Sequence, residues 1–177
     1  MAYTPARSAV GKIIAITSCK GGVGKSTVSL ELAFRLAARG HAVGLFDADV
    51  HGPSLPSQLP PSVGRERVRL GPGGWSVEPL SHAGVKLMSF GWLKRLWGGA
   101  HDGEVRTGSV PEEIANQLLQ STHWGALDYL VIDSPPGTGG VQKALYTKVP
   151  LAGAVVVTTP SPLATVDVVR GVHMLQR

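Results

Sequence analysis

The stretch Cys19-Lys20-Gly21-Gly22-Val23-Gly24-Lys25-Ser26-Thr27 constrains this chain more than any other. It follows the apolar run Ile13-Ile14-Ala15-Ile16-Thr17, which reads as a strand, and precedes residues 28–39, which read as a helix. Strand, glycine-rich turn, helix is the setting that a phosphate-binding loop requires. The glycines let the backbone curl so that the N–H groups of Gly21, Gly22, Val23 and Gly24 point inward at phosphate oxygens. The N-terminus of the helix, at Lys25, Ser26 and Thr27, adds its partial positive charge. Lys25 is expected to reach the β- and γ-phosphates, and the Ser26 hydroxyl to ligate Mg²⁺. The pattern G-x-x-x-x-G-K-[ST] is met with one departure, Cys19 in place of its first glycine. A second lysine, Lys20, lies inside the loop.

Around this loop, strand and helix signals alternate. Strands are expected over 12–17, 42–46, 85–90, 129–132 and 152–158. Helices are expected over 26–39, which Gly40 ends, 141–148, and from Ser161 to the last residue. Ser109 and Glu112 form a capping box for a further helix through about Ser121, with Val110, Ile114 and Leu118 on its inward face. In the first helix, Val28, Leu32 and Leu36 share one face. Repeated β–α units predict an α/β fold, a mostly parallel sheet with helices on both faces. A tail, 1–11, precedes one domain over 12–177. A Pro-, Gly- and Ser-rich insertion, about 56–84, carries an expected hairpin with Val68-Arg69-Leu70 and Trp75-Ser76-Val77 as its strands.

Three strand ends carry groups that Mg–ATP chemistry uses, at the edge where open α/β sheets bind ligands. One ends in Asp47-Ala48-Asp49. Another ends in Asp133, followed by Ser134-Pro135-Pro136-Gly137-Thr138-Gly139-Gly140, a turn suited to sensing a γ-phosphate. Magnesium is a hard cation held by oxygen, often through its waters. Asp133 is assigned to the metal's outer shell, Asp47 to the metal or its water, and Asp49 to polarising the attacking water. The bland reading of each acid is a turn or cap residue. His51 is read as a packing or hydrogen-bonding residue and His123 as a surface residue. No His, Cys and Asp cluster has zinc-site spacing.

Composition removes several alternatives. The net charge is +5, but the basic residues are scattered, and Arg65, Arg67 and Arg69 read as a solvated group rather than a nucleic-acid patch. No apolar run approaches the ~20 residues of a membrane-spanning helix. Residues 1–12 lack the apolar centre of a secretory signal. One cysteine excludes an internal disulfide framework and fits a reducing compartment. A soluble intracellular protein is expected, cytoplasmic or organellar.

With these residues in view the chain resembles the deviant Walker A ATPases of the MinD/ParA type, through Lys20 in Lys20-Gly21-Gly22-Val23-Gly24-Lys25-Ser26-Thr27. More narrowly it is similar to the Mrp (ApbC) iron–sulfur cluster carriers. That likeness rests on Phe46-Asp47-Ala48-Asp49-Val50-His51-Gly52-Pro53-Ser54-Leu55-Pro56, on 124–133 with Pro-Pro-Gly-Thr-Gly after it, and on Val157-Thr158-Thr159-Pro160. Ser18-Cys19-Lys20 looks like the plastid branch. The resemblance implies a Mg–ATP-hydrolysing homodimer with Lys20 of one protomer reaching the other's phosphates, apo iron–sulfur proteins as clients, and a bridging [4Fe–4S] cluster. It implies neither nucleic acid nor membrane as partner. The cluster's usual Cys-x-x-Cys pair is absent, since Cys19 is the one cysteine. The acidic residue usual after Pro-Pro-Gly-Thr-Gly is Gly140. The chain looks C-terminally short of such carriers. Two other readings stand beside a cluster-carrier ATPase: a MinD/ParA-like positioning switch, and a nucleotide-binding module without turnover.

Overall fold

A strand buried on both faces reads as an unbroken apolar run, and β2 (Val43–Asp47) is buried at all five positions. The computed structural model describes residues 9–63, 77–97, 111–137, 139–161, 168, 169 and 172. Beside β2 stand β1 (Val10–Thr17), β3 (Leu80–His82), β4 (Val85–Ser89), β5 (Leu127–Asp133) and β6 (Leu151–Val156). The sheet order is β3-β4-β2-β5-β1-β6. Every neighbouring pair is parallel except β3 with β4. The helices are α1 (Lys25–Ala38), α2 (Leu55–Gln58), α3 (Phe90–Trp97), α4 (Pro111–Ser121) and α5 (Gly140–Lys148). This is the expected α/β fold, and none of the helices among the described residues is long and apolar enough to cross a membrane.

The core lies between the sheet and its helices, with Ile16, Leu45, Phe46, Leu87, Leu130 and Ile132 inaccessible or nearly so. Trp124 is fully buried, meets Phe46 edge-on, and gives its indole N–H to the Leu119 carbonyl at 3.1 Å. A Cβ on Gly44 would lie 2.8–3.0 Å from side-chain atoms of Leu127, Trp124 and Leu130. Residue 44 is therefore glycine for close approach.

Local expectations are corrected in three places. The buried positions of α1 are Lys25, Ser29 and Ala33, whereas Val28 is exposed and Leu32 and Leu36 are half-buried. Lys25 and Ser29 are buried against Asp133 of β5, and that sets the inward face one residue away from the expected one. Second, the strand expected to reach residue 90 stops at Ser89, whose Oγ accepts from the Gly91 N–H at 3.1 Å. That is an N-cap bond, and it starts α3 at Phe90. Third, within the expected insertion β3 pairs with β4, and Val77 forms a parallel bridge with Thr122. The strand Val68-Arg69-Leu70, Trp75 and Ser76 of its expected partner, the trio Arg65, Arg67 and Arg69, the cap Ser109 with Val110, Thr138 and most of the last expected helix lie outside the described residues.

Candidate nucleotide site

Parallel strands in register put their ends side by side. Asp47 is the register partner of Asp133, and Asp133 is that of Ile16, so β2, β5 and β1 end on one edge. The chain leaves β1 there and enters the loop that leads to α1. Gly22 and Gly24 have φ of 77° and 90°, the left-handed region that favours glycine. A Cβ on Gly21, Gly22 or Gly24 would meet no atom within 4 Å. Gly24 is the N-cap of α1 and gives it no side-chain cap. The N–H groups of the first helical turn lack intrahelical acceptors, and no side chain caps them.

Behind the loop lies a buried charge pair. Lys25 Nζ is 2.5 Å from Asp133 Oδ1 and donates to Ser26 Oγ at 3.1 Å. Ser29 Oγ lies 2.9 Å from the same carboxylate oxygen and 3.0 Å from the Lys25 carbonyl. Lys25 is 8% and Asp133 3% exposed, so the pair is dry. Attraction there is far stronger than in water.

Asp47 is held by its own loop. Its Oδ2 accepts from the Ser54 and Leu55 N–H groups and from Ser89 Oγ, and its Oδ1 from the Asp49 N–H. Burial nonetheless raises its pKa from 3.8 to about 6, and the neighbouring Asp133 charge adds to the rise. The Asp49 carboxylate turns back on its loop, accepting from the His51 and Gly52 N–H groups. Lys20 and Thr27 are exposed, and the Lys20 carbonyl accepts from Ser18 Oγ. His51 is exposed, and His123 forms a 2.9 Å contact with Glu78.

The structure thus brings Lys25, Ser26, Asp133 and Asp47 to one strand edge beside the glycine loop. Asp49 reaches this group through its N–H bond to Asp47 Oδ1, while its carboxylate faces its own loop, and Lys20 is exposed. Sequence reasoning passed over Ser29, Ser89, Gln142 and Tyr146. For Ser29 a signal existed: it follows Lys25 by four residues and so shares its helix face. Ser89, Gln142 and Tyr146 carry no spacing signal, because their partners lie on other elements.

The donors are hydroxyl and carboxylate oxygens, the type that suits magnesium. Among the described residues no three His, Cys, Asp or Glu side chains gather to hold a metal. A [4Fe–4S] cluster does not fit: it commonly takes four thiolates, and Cys19 is the one cysteine here.

Comparison with known proteins shows the family and the fold. The family model described as ParA, NUBPL iron-transfer P-loop NTPase, matches residues 9–177. The chain is 48% identical over 170 residues to the chloroplastic Fe-S cluster assembly factor HCF101 of Arabidopsis thaliana, covering 96% of this chain and 30% of that protein. It is 44% identical over 176 residues to the iron-sulfur cluster carrier protein of Synechocystis, covering 98% and 49%. The chain therefore spans half or less of these relatives. Among solved structures, a nucleotide-binding protein of Archaeoglobus fulgidus in complex with ADP superposes with a TM-score of 0.75 at 34% identity, covering 94% of this chain and 62% of that one. The septum site-determining protein MinD of Pyrococcus horikoshii, complexed with Mg-ADP, has a TM-score of 0.60 at 19% identity, over 94% and 65%, and shares the fold.

Proposed function

This chain belongs to the ParA family of NUBPL-type iron-transfer P-loop NTPases, and on that premise we propose that it binds and hydrolyses Mg–ATP to drive a conformational change in a homodimer serving iron–sulfur cluster transfer. The observation that carries the reading is the buried Lys25–Asp133 pair behind an open, uncapped glycine loop. A lysine paired only with protein needs no such loop. One that can trade its carboxylate for a phosphate does.

In this reading the loop N–H groups of Gly21, Gly22, Val23, Gly24, Lys25, Ser26 and Thr27 hold the phosphate oxygens. Lys25 swings from Asp133 to the β- and γ-phosphates. Ser29 keeps its bond to Asp133, whose carboxylate would stand in the metal's outer shell. Ser26 releases Lys25 and offers its hydroxyl oxygen to the metal. When bound, Mg²⁺ neutralises charge on the β- and γ-oxygens. Asp47 fixes the 47–55 loop and would hold the metal or its water, and Asp49 would leave its turn to polarise the attacking water. Lys20 of one protomer adds charge at the partner's phosphates. Catalysis is positioning plus electrostatic stabilisation. The protein's clients are apo iron–sulfur proteins.

Phosphate release and light scattering test this together. Wild type is expected to release phosphate from Mg–ATP and to double in mass with Mg–ATP but not Mg–ADP. Lys20→Ala and Asp49→Ala are each expected to slow release at least tenfold. Release unaffected by either substitution contradicts the assigned roles. A second reading, nucleotide binding without turnover, is supported by the inward-turned Asp49 carboxylate. Bound ATP with phosphate release no faster than buffer selects it.

A further inference from the structure

The turn after Asp133 is tied to the phosphate loop from below and to α5 from behind. The Ser134 N–H donates to the Ile16 carbonyl at 3.0 Å and the Gly137 N–H to the Ser18 carbonyl at 2.9 Å. Residues 134–137 therefore move with the strand end that launches the loop. From the other side, Gln142 Nε2 donates to the Pro135 carbonyl and to Thr17 Oγ1 at 3.2 Å. Tyr146 donates its hydroxyl to Ser134 Oγ at 2.8 Å. Gln142 and Tyr146 are one helical turn apart on α5, so one face of that helix grips the segment at two consecutive residues.

Gln142 is fully buried, and its amide is half used. The Pro135 carbonyl can only accept, which fixes the amide nitrogen towards it. Among the described residues, Gln142 Oε1 then has no hydrogen-bond partner. A buried acceptor without a donor destabilises the arrangement that contains it. The strain is relieved if 134–137 shifts and brings a backbone N–H to Oε1. Thr17 and Ser134 are buried as well, so no bulk water competes for these bonds.

We propose that Gln142 and Tyr146 are positioning residues. They hold 134–137 in one of two hydrogen-bonded arrangements and hand it over to a bound nucleotide's terminal phosphate, so that α5 registers the state of the site. The spare Oε1 is the acceptor of the second arrangement. This inference rests on the reading of the site as an ATPase.

The test uses the full chain, with Gln142→Leu and Tyr146→Phe, which keep the apolar packing. Hydrolysis of Mg–ATP is followed over a range of concentrations, together with hydrogen exchange at the Ser134 and Gly137 amides without nucleotide. Each variant is expected to lower kcat at least tenfold while KM changes less than threefold. Exchange at both amides is expected to quicken at least fivefold in each variant. Both variants within threefold of wild type in kcat overturn the proposal. If wild type itself does not hydrolyse ATP, the ATPase reading fails separately. The positioning claim is then decided by exchange with Mg–ATP added. Protection of the Gly137 amide that changes in wild type and not in Gln142→Leu supports it, and equal changes overturn it.

Discussion

Lys25 and Asp133 are each other's charge partner while no phosphate is bound, and both are nearly inaccessible. Removing one member of a buried pair strands the other, at a cost of about 3–5 kcal/mol. Ser29 stays behind as a donor to Asp133 and softens that loss. Lys25→Ala is thus expected to lower unfolding free energy by roughly 3 kcal/mol in urea at pH 7, with Lys25→Ala/Asp133→Asn recovering part of it. A double variant no more stable than Lys25→Ala contradicts the pairing. Asp47 makes a second prediction at this scale. Its folded pKa of about 6 lies above the 3.8 of an ordinary aspartate. The native state therefore binds the proton more tightly, and the group's contribution to stability is lost as pH rises from about 4 to about 6. Each unit is worth about 1.4 kcal/mol, so the swing is on the order of 3 kcal/mol. Relative to wild type, Asp47→Asn should gain stability across that window, and parallel stability curves contradict the raised value.

The phosphate loop and α1 are one device at the element scale. Gly24 is both the left-handed N-cap of α1 and the last residue of the open loop. A Cβ there touches nothing, so the penalty of Gly24→Ala is conformational, about 1–2 kcal/mol for an L-residue in the left-handed region. The variant is expected to lose that much in thermal unfolding and to bind Mg–ADP at least tenfold more weakly. Full affinity at reduced stability would separate the loop's shape from nucleotide binding. Elements also mark where the sequence was readable. The strand–loop–helix around 13–39 was legible because apolar run, glycines and helix follow each other locally. α3 was not, because the bond that starts it joins Ser89 to Gly91, and Phe90 continues the apolar strand pattern past its true end. The inward face of α1 was misjudged by one residue, since polar Lys25 and Ser29 are buried for charge pairing rather than for apolar packing.

Across the whole molecule, sheet order turns distant residues into one site. Lys25 and Asp133 are 108 residues apart in sequence and meet because β1 and β5 are neighbours. The acids at 47 and 133 were legible as strand ends, and their adjacency follows from the parallel register. The grip of α5 on 134–137 was not legible, since it depends on the packing of a helix against a turn. The identity to cluster carriers runs nearly the length of this chain, which covers 49% of the Synechocystis protein. The nucleotide site is accordingly the part of the account to be tested first. Calorimetric titration of Mg–ATP into wild type and Lys25→Met, a substitution that keeps the apolar stem, does so most directly. The account predicts saturable one-to-one binding per protomer by wild type and at least a hundredfold weaker binding by the variant. Equal affinity in the two proteins, or none in wild type, contradicts it.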